Sequence, residues 1–194
     1  MILAERAEFA LACSLRAGKG APLGDVFAFL SGLYFRGKLQ YARAFARPPD
    51  GVHGALVITS SRGLRAVDEP IFPGCLREFA AVPVDAGEER YRAPLLRDAH
   101  ALAARMADDG EVILLGSIAT DKYTAVLSQV FGPRLRFPVA FVGRGDMSRG
   151  GLMLRCVREG RELEYVPLGG ARRGARPAKL EPIETGRPWQ PGQR

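Results

Sequence analysis

Short apolar runs that end in glycine or a small polar residue recur along the chain. A run of this length between turn-forming residues is typical of a buried β-strand. Four of them predict core strands, over Glu8–Cys13, Ala55–Thr59, Glu111–Leu115 and Phe137–Val142. Parallel strands place their carboxyl ends along one edge of a sheet, which is where open α/β folds bind ligands. The pattern therefore predicts a sheet and the edge at which a ligand site lies.

Between these runs the apolar residues recur with the period of an α-helix. This pattern predicts a long helical region over Leu23–Ala46, with Ser31-Gly32 and Gly37 as candidate break points. Further helices are predicted over Arg92–Asp109 and along the apolar stripe that ends at Gly132-Pro133.

Two further features complete the predicted sheet. Phe79–Val84 is an additional strand, placed at an edge by Pro83, and Leu152–Val157 pairs with Glu162–Leu168 in a β-hairpin. Strands that alternate with helices predict an α/β fold, a three-layer α/β/α domain with a mostly parallel central sheet and a C-terminal β-hairpin. This single domain covers residues 1–168, and the proline-, glycine- and arginine-rich tail of residues 169–194 is predicted to be disordered.

Composition narrows the class of protein. Hydrophobic residues make up 47% of the 194 positions, yet no apolar run approaches the roughly 20 residues that span a bilayer, and the first residues lack the pattern of a secretory signal. We therefore expect a cytoplasmic protein with no membrane partner. The three cysteines and two histidines lack metal-ligand spacing, so we predict no metal site, no disulfide framework and no cofactor.

The net charge of +7 raises the question of nucleic acid binding. Six basic and two acidic residues fall in the last 26 positions, so the tail carries more than half of this charge. Only four of the 28 basic residues are lysine, which is typical of a GC-rich coding bias rather than of phosphate binding. Nucleic acid therefore remains a possible partner of the chain mainly through its basic tail.

The first candidate ligand segment is Gly116-Ser117, which follows the third core strand and precedes a helix. Gly116 permits a ligand to approach the backbone, and the N–H groups of a helix start attract phosphate or carboxylate. The hydroxyls of Ser117 and Thr120 can also hydrogen-bond such an anion. The alternative is that one of these hydroxyls is simply the helix N-cap.

The glycine-rich segment 143–151 is the second candidate. Arg144 and Arg149 can grip phosphate or carboxylate with two hydrogen bonds each, and Ser148 lies between them. Asp146 is the first candidate for acid–base chemistry. The alternative is a loop that joins two elements and contains an internal Asp–Arg pair.

Other candidates follow the first two strands. Ser60, Ser61 and Arg62 offer hydroxyls and a guanidinium at the second strand end, and Asp68 and Glu69 are further candidate acids within reach of that loop. At the first strand end Ser14 is a candidate ligand, and Cys13 is more simply a buried structural thiol because no histidine is placed to activate it. In the helical region Tyr34 and Tyr41 alternate with basic residues. This spacing favours core contacts by the two tyrosines, with the basic side chains facing water. The alternative is that the tyrosines stack on nucleic acid.

Several short motifs resemble a group of small bacterial α/β domains of unassigned function. They are Cys13-Ser14, Leu33-Tyr34-Phe35, Tyr41-Ala42 and the turn Ser60-Ser61-Arg62-Gly63-Leu64 followed by Asp68-Glu69-Pro70-Ile71. Such domains are similar to the uracil-DNA glycosylase-like fold and to domains of tRNA deazapurine-modifying enzymes. The resemblance implies a nucleobase or nucleoside pocket at the strand ends. Ser60-Ser61 replaces the His-Pro-Ser loop of glycosylases, and Cys13-Ser14 replaces their water-activating Asp or Asn.

These observations predict a protein that binds a nucleotide, nucleoside or similar anionic metabolite at one edge of its sheet. If it is an enzyme, we expect hydrolysis or group transfer on a phosphorylated or N-glycosidic substrate. The first alternative is a non-enzymatic nucleic-acid-binding domain that uses the basic tail. The second is a partner-binding module that presents the edge of the 152–168 hairpin.

Overall fold

The computed structural model describes residues 2–4 and 6–170, so residues 171–194 of the predicted tail lie outside the described part. The helices are α1 Ala10–Arg16, α2 Leu23–Phe45, α3 Pro73–Ala80, α4 Glu89–Ala103, α5 Asp121–Phe131 and α6 Asp146–Glu159. The strands are β1 Ala21–Pro22, β2 Leu56–Ile58, β3 Leu64–Ala66, β4 Pro70–Ile71, β5 Val112–Ile113, β6 Leu135–Pro138 and β7 Tyr165–Pro167. Among these helices none has the length and apolar character that crossing a bilayer requires.

The strands form three small sheets. β2 and β3 are an antiparallel hairpin with Ile58 opposite Leu64, and β1 pairs antiparallel with β4. β6 lies between β5, which is parallel to it, and β7, which is antiparallel. The mixed helix and sheet class is confirmed, and the predicted strands around β2, β5 and β6 are present. One mostly parallel central sheet is not found within residues 2–4 and 6–170, because β5–β6 is the one parallel pair there.

The first predicted strand is wrong, because Glu8–Cys13 leads into helix α1. Its buried residues Leu11, Ala12 and Leu15 recur at helical spacing, while Cys13 and Ser14 lie on the exposed face. The predicted strand Phe79–Val84 is also wrong. Pro73 at the first position of α3 favours a helix start, and the helix continues through Phe79 to Ala80.

The predicted C-terminal hairpin is wrong in its first arm. Leu152–Val157 is part of α6, which buries Leu152, Met153 and Cys156 and ends at the left-handed Gly160 (φ 63°). The second arm is a strand, β7, and it pairs with β6 instead. The module that would present the hairpin edge to a partner therefore has no structural basis here. A mainly apolar run of six residues, such as Leu152–Val157, is compatible with a strand or with a buried helix. In this protein it forms a helix that buries one face.

Helix α2 has one break and one close contact at its glycines. Gly32 (φ 63°, ψ −143°) interrupts the helix, as predicted, and divides it into two segments. Gly37 does not interrupt it. A Cβ atom there would lie 2.8 Å from the carbonyl oxygen of Gly150 in α6, and a Cβ on Gly150 would lie 2.8 Å from the carbonyl oxygen of Leu33. The two helices therefore cross backbone against backbone.

Three apolar clusters form the core of the described part of the chain. The first joins α1 to the start of α2 and to α3, and the second lies between α4, α5 and β6. The third contains Tyr41 from α2, Phe137 and Phe141 from the β6 region, and Met153 and Cys156 from α6. The second half of α2 is thus held by the third cluster on its α6 side. Its other side faces β2 and β5.

The glycine contact gives a stability prediction. Gly37→Ala places a methyl group against the Gly150 backbone, so we expect it to lower the free energy of unfolding by about 1–3 kcal/mol. Urea denaturation measures this change. Gly74→Ala in α3 is the matched control, because its added methyl meets no atom within 4 Å, and it should change stability by less than about 1 kcal/mol. Equal effects of the two substitutions would contradict the close contact.

Candidate functional site

A cleft of about 1230 Å³ runs along the second half of α2, opposite β2 and β5. Most of its wall is apolar. Polar groups gather at its two ends, and the ends differ in how their charges are paired. The end near the start of α5 and α6 contains Lys38, Ser117, Lys122, Tyr123 and Asp146 and is called here the Lys38 end.

Charges at the opposite end are paired with one another. Arg47 lies 2.6 Å from Glu162, which accepts a hydrogen bond from the Tyr165 hydroxyl at 3.0 Å. The hydroxyls of Tyr165 and Tyr41 are 2.6 Å apart, and Tyr41 also accepts a hydrogen bond from the backbone N–H of Leu163. This network joins α2 to the chain before β7. Its polar groups satisfy one another, so it has a structural role.

Lys38 differs from these groups because it has no ion pair within the described part of the chain. Its Nζ lies over the ring of Tyr34, 3.9 Å from the centroid, and 5.9 Å from that of Phe35. Burial lowers the pKa of Lys38 to about 8. The cations Arg149 and Lys122 lower this pKa further, and Asp146 opposes them. An anion that enters the cleft would therefore stabilise the charged form of Lys38.

Tyr34 connects Lys38 to both neighbouring elements. Its hydroxyl donates to the carbonyl oxygen of Leu115, at 3.0 Å, and hydrogen-bonds with Arg149. Burial raises the pKa of Tyr34, and Arg149 partly offsets the shift. The ring is therefore fixed between the chain after β5 and helix α6, and it holds the Lys38 amine in one place.

The start of α5 forms one side of the Lys38 end. Ser117 accepts a hydrogen bond from the Ala119 N–H at 3.2 Å, just before the helix. Thr120 occupies the N-cap position of α5, but its side chain makes no capping hydrogen bond. The carbonyl of Lys122 accepts a hydrogen bond from the buried Tyr91 of α4 at 2.7 Å, which anchors this first turn. The predicted neighbours Gly116 and Ser117 thus line the cleft.

The start of α6 forms the other side. Asp146 is the first residue of the helix, is well exposed, and lies 3.7 Å from Arg149. The Arg149 guanidinium is only 12% exposed and donates to the carbonyl of Phe141 at 3.2 Å. The segment therefore contains the internal Asp–Arg pair that was the alternative to a ligand loop. Asp146 also lines the cleft.

Arg144 and Ser148 form hydrogen bonds within the turn that precedes α6 and its first residues. Arg144 donates to the carbonyl of Ala140 at 3.0 Å and to Ser148 Oγ at 3.3 Å. Gly150, expected to admit a ligand, instead admits the backbone of α2. The interpretation of this segment as an irregular loop is wrong beyond Gly145, because its second half is the first turn of α6.

The polar residues after β2 connect the β2–β3 turn to α3. Ser60 donates to the carbonyl of Phe79 at 2.7 Å, and Ser61 donates to Glu78 at 2.8 Å. Arg62 Nε is 3.0 Å from each carboxylate oxygen of Glu78, and its hydrogen bonds, with that of Ser61, lower the pKa of Glu78. These side chains have partners within the protein.

The remaining predicted residues also lie outside the cleft wall. Asp68 pairs with Arg43 at 2.5 Å, Glu69 pairs with Arg65 at 2.6 Å, and Ser14 is exposed on α1. The structure thus brings Gly116, Ser117 and Asp146 together around the cleft, with Thr120 and Arg149 beside them. It does not bring the first two predicted strand ends to the same place.

The sequence interpretation missed Lys38 and Lys122. The helical pattern placed Lys38 on the solvent side of α2, because its neighbours Tyr34 and Tyr41 had the spacing of core residues. A usable signal was present. In a chain whose basic residues are nearly all arginine, a lysine between two aromatic residues departs from the bias.

No group of three or more His, Cys, Asp or Glu side chains in the described ranges is arranged to hold a metal ion. Comparisons with family models, curated proteins and solved structures found no significant match. The resemblance to the glycosylase-like domains therefore stays a prediction, and the site rests on its own geometry.

The pKa of Lys38 gives a prediction for stability against pH. In the unfolded chain the amine has its ordinary pKa of about 10.5, so between pH 8 and 10.5 the unfolded state binds more protons than the folded one. The contribution of Lys38 to the free energy of unfolding therefore rises with pH. We expect wild type to gain about 1–2 kcal/mol over Lys38→Met between pH 7 and 10, less than the full shift because water in the cleft screens the charge.

Urea denaturation of both proteins across this pH range measures the gain. Lys19→Met, which removes an exposed lysine outside the cleft, controls for general charge effects. A wild-type to Lys38→Met difference that stays constant with pH would mean that the amine is not buried as described.

Proposed function

We propose that the chain binds a small anionic metabolite, with its phosphate or carboxylate at the Lys38 end of the cleft. One observation carries this proposal. The cations Lys122 and Arg149 both lie close enough to the Lys38 amine to act on it, and Asp146 is the carboxylate that opposes them there. An anion that enters this end reduces the repulsion among the cations.

The neighbouring backbone supports the same ligand. The first turn of α5 carries N–H groups that the Thr120 side chain leaves uncapped, and the positive end of a helix dipole favours an anion. Gly116 leaves space for the approach. Lys122 adds a charge on the same turn, and Tyr91 holds that turn in position.

The remainder of the ligand would lie along the apolar wall between α2 and β5. Tyr123 lines the cleft beside Ser117 and offers an aromatic edge or face for a planar group. A nucleotide or nucleoside-like anion, the class expected from sequence, combines a planar group with a charge in this way. The proposal thus keeps the expected ligand class and moves it to a cleft beside α2.

If the protein is an enzyme, Asp146 is its candidate acid–base group. Its carboxylate lines the Lys38 end and is only loosely paired with Arg149, so it is accessible to a bound substrate. Hydrolysis or group transfer at a phosphorylated or N-glycosidic centre would need such a group. Arg144 and Ser148 would then hold the turn that positions Asp146.

The nucleic-acid alternative depends mainly on the tail of residues 169–194, of which residues 171–194 lie outside the described part. Within α2 the aromatic residues do not favour it, since Tyr41 is buried and the Tyr34 ring is covered by Lys38. The tail and the cleft make different predictions for salt and for truncation, so one experiment separates them.

Binding of adenosine monophosphate, ribose 5-phosphate and inorganic phosphate tests the proposal. We expect Lys38→Met and Lys122→Met each to weaken the best of these ligands about tenfold or more, because each removes one charge-assisted contact. Isothermal titration calorimetry measures the affinities. Native mass spectrometry of gently purified protein shows whether a ligand is retained from the cell.

Lys19→Met and a chain ending at residue 170 are the matched controls. Both should bind as wild type does, because neither alters the cleft. Loss of binding in the shortened chain, with affinity for nucleic acid that falls steeply as salt rises, would favour the tail instead. Equal affinities in the Lys19 and Lys38 variants would exclude the Lys38 end as the site.

A further inference from the structure

We infer that Lys38 is a covalent site for carbonyl compounds, and that its amine forms an imine with an aldehyde or ketone that carries an anionic group. This inference rests on the proposed function, because the anion site is what brings the carbonyl carbon to the amine. It adds a reaction, a nucleophile and a narrower class of ligand.

The position of the amine is the first argument. Lys38 Nζ opens into a cleft large enough for a small molecule, yet it is fixed over the Tyr34 ring. It forms no ion pair with any carboxylate in the described ranges. A lysine tied to a carboxylate keeps its proton, whereas a buried one near two other cations releases it more readily.

The protonation state supports this geometry. With a pKa of about 8, roughly a quarter of Lys38 is neutral amine at pH 7.5, against about one part in a thousand for an ordinary lysine. The charged and titratable groups that act on it are Asp146 and Arg149 of α6, and Lys122 of α5. A bound anionic ligand raises this pKa again, and because proton exchange is fast, the attack proceeds from the fraction of neutral amine that remains.

The reaction balances without an oxidant or reductant. The nitrogen lone pair of Lys38 attacks the carbonyl carbon, a C–N bond forms, and the carbonyl oxygen takes up a proton. The nitrogen then loses a proton, and its lone pair forms the second C–N bond as the C–O bond breaks and the oxygen leaves as water with a second proton. Loss of the remaining proton from nitrogen gives the imine and restores the proton used to release water. Asp146, on the same end of the cleft, is the group placed to carry protons from nitrogen to oxygen.

The geometry also limits the substrate. The anionic group must sit at Lys122 and the start of α5, so the carbonyl must lie a few atoms from a carboxylate or phosphate. Aldehyde phosphates, 2-oxo acids and glyoxylate-like acids meet this condition. A neutral aldehyde of similar size lacks the contact that would hold it there.

The scarcity of lysine makes the inference easy to test. The chain has four lysines, Lys19, Lys38, Lys122 and Lys179, so reductive trapping can be assigned to one position by peptide mass spectrometry. The full-length protein is incubated with glyoxylate or with propanal at pH 7.5, and cyanoborohydride reduces any imine to a stable secondary amine.

We expect glyoxylate to label Lys38 at least tenfold faster than the exposed Lys19, and at least tenfold faster than propanal labels Lys38. Lys38→Arg should remove this fast label, and Lys19→Arg should leave it unchanged. Competition by inorganic phosphate should slow the labelling, because phosphate occupies the anion site.

The outcomes separate the two proposals. Glyoxylate that competes with adenosine monophosphate for binding but leaves no label on Lys38 would overturn the imine and keep the anion site. Equal labelling of Lys38 by both aldehydes, unaffected by phosphate, would keep the reactive amine and overturn the anion site. Equal labelling of Lys19 and Lys38 by glyoxylate would overturn the inference.

Discussion

The contact between Gly37 and Gly150 is the constraint on which the site depends. With no side chain on either residue, α2 and α6 meet backbone against backbone. Lys38 follows Gly37 directly, and Asp146 lies one turn before Gly150, so the same contact that joins the helices brings the amine and the carboxylate to one end of the cleft. Tyr34 completes the arrangement, since it hydrogen-bonds Leu115 after β5 and Arg149 in α6. Packing and chemistry therefore have a common origin in one helix crossing.

The Lys38 end of the cleft contrasts with several places in the protein where charges are paired. Arg62 with Glu78, Arg43 with Asp68 and Arg47 with Glu162 each join elements that are distant in sequence. Exposed pairs of this kind contribute little to stability individually, but they leave no charge for a ligand. Lys38 has aromatic neighbours in place of a carboxylate. The difference separates groups that hold the fold together from groups available for binding.

Sequence reasoning predicted the mixed α/β class, the strands near β2, β5 and β6, helices α4 and α5, and the break at Gly32. It also placed Gly116, Ser117 and Asp146 in a candidate site. The site assignment stays a prediction, whereas the correctly predicted elements share a cause, since each has a clear period or a strong turn signal beside it. The failures at α1, α3 and the Leu152–Val157 part of α6 concern apolar runs of about six residues, where a strand and a one-sided helix look alike until the packing partner is known. Sequence reasoning did not assign a role to Lys38 because the charged groups that act on it belong to α5 and α6, more than 80 residues away in the chain. The ligand, the reaction and the glycosylase-like resemblance stay predictions.

The helix crossing also has a consequence for how this chain can change over generations. The backbone of Gly150 excludes a side chain at Gly37, and the backbone of Leu33 and Tyr34 excludes one at Gly150, so a substitution at one glycine does not make room at the other. A single replacement at Gly37 or Gly150 cannot keep the present packing unchanged. Even one methyl group would lie 2.8 Å from a backbone oxygen of the other helix. A lineage that did separate them would also move Lys38 away from Asp146. We therefore expect Gly37 and Gly150 to be retained together, and variation at the cleft to fall on residues that leave the crossing intact.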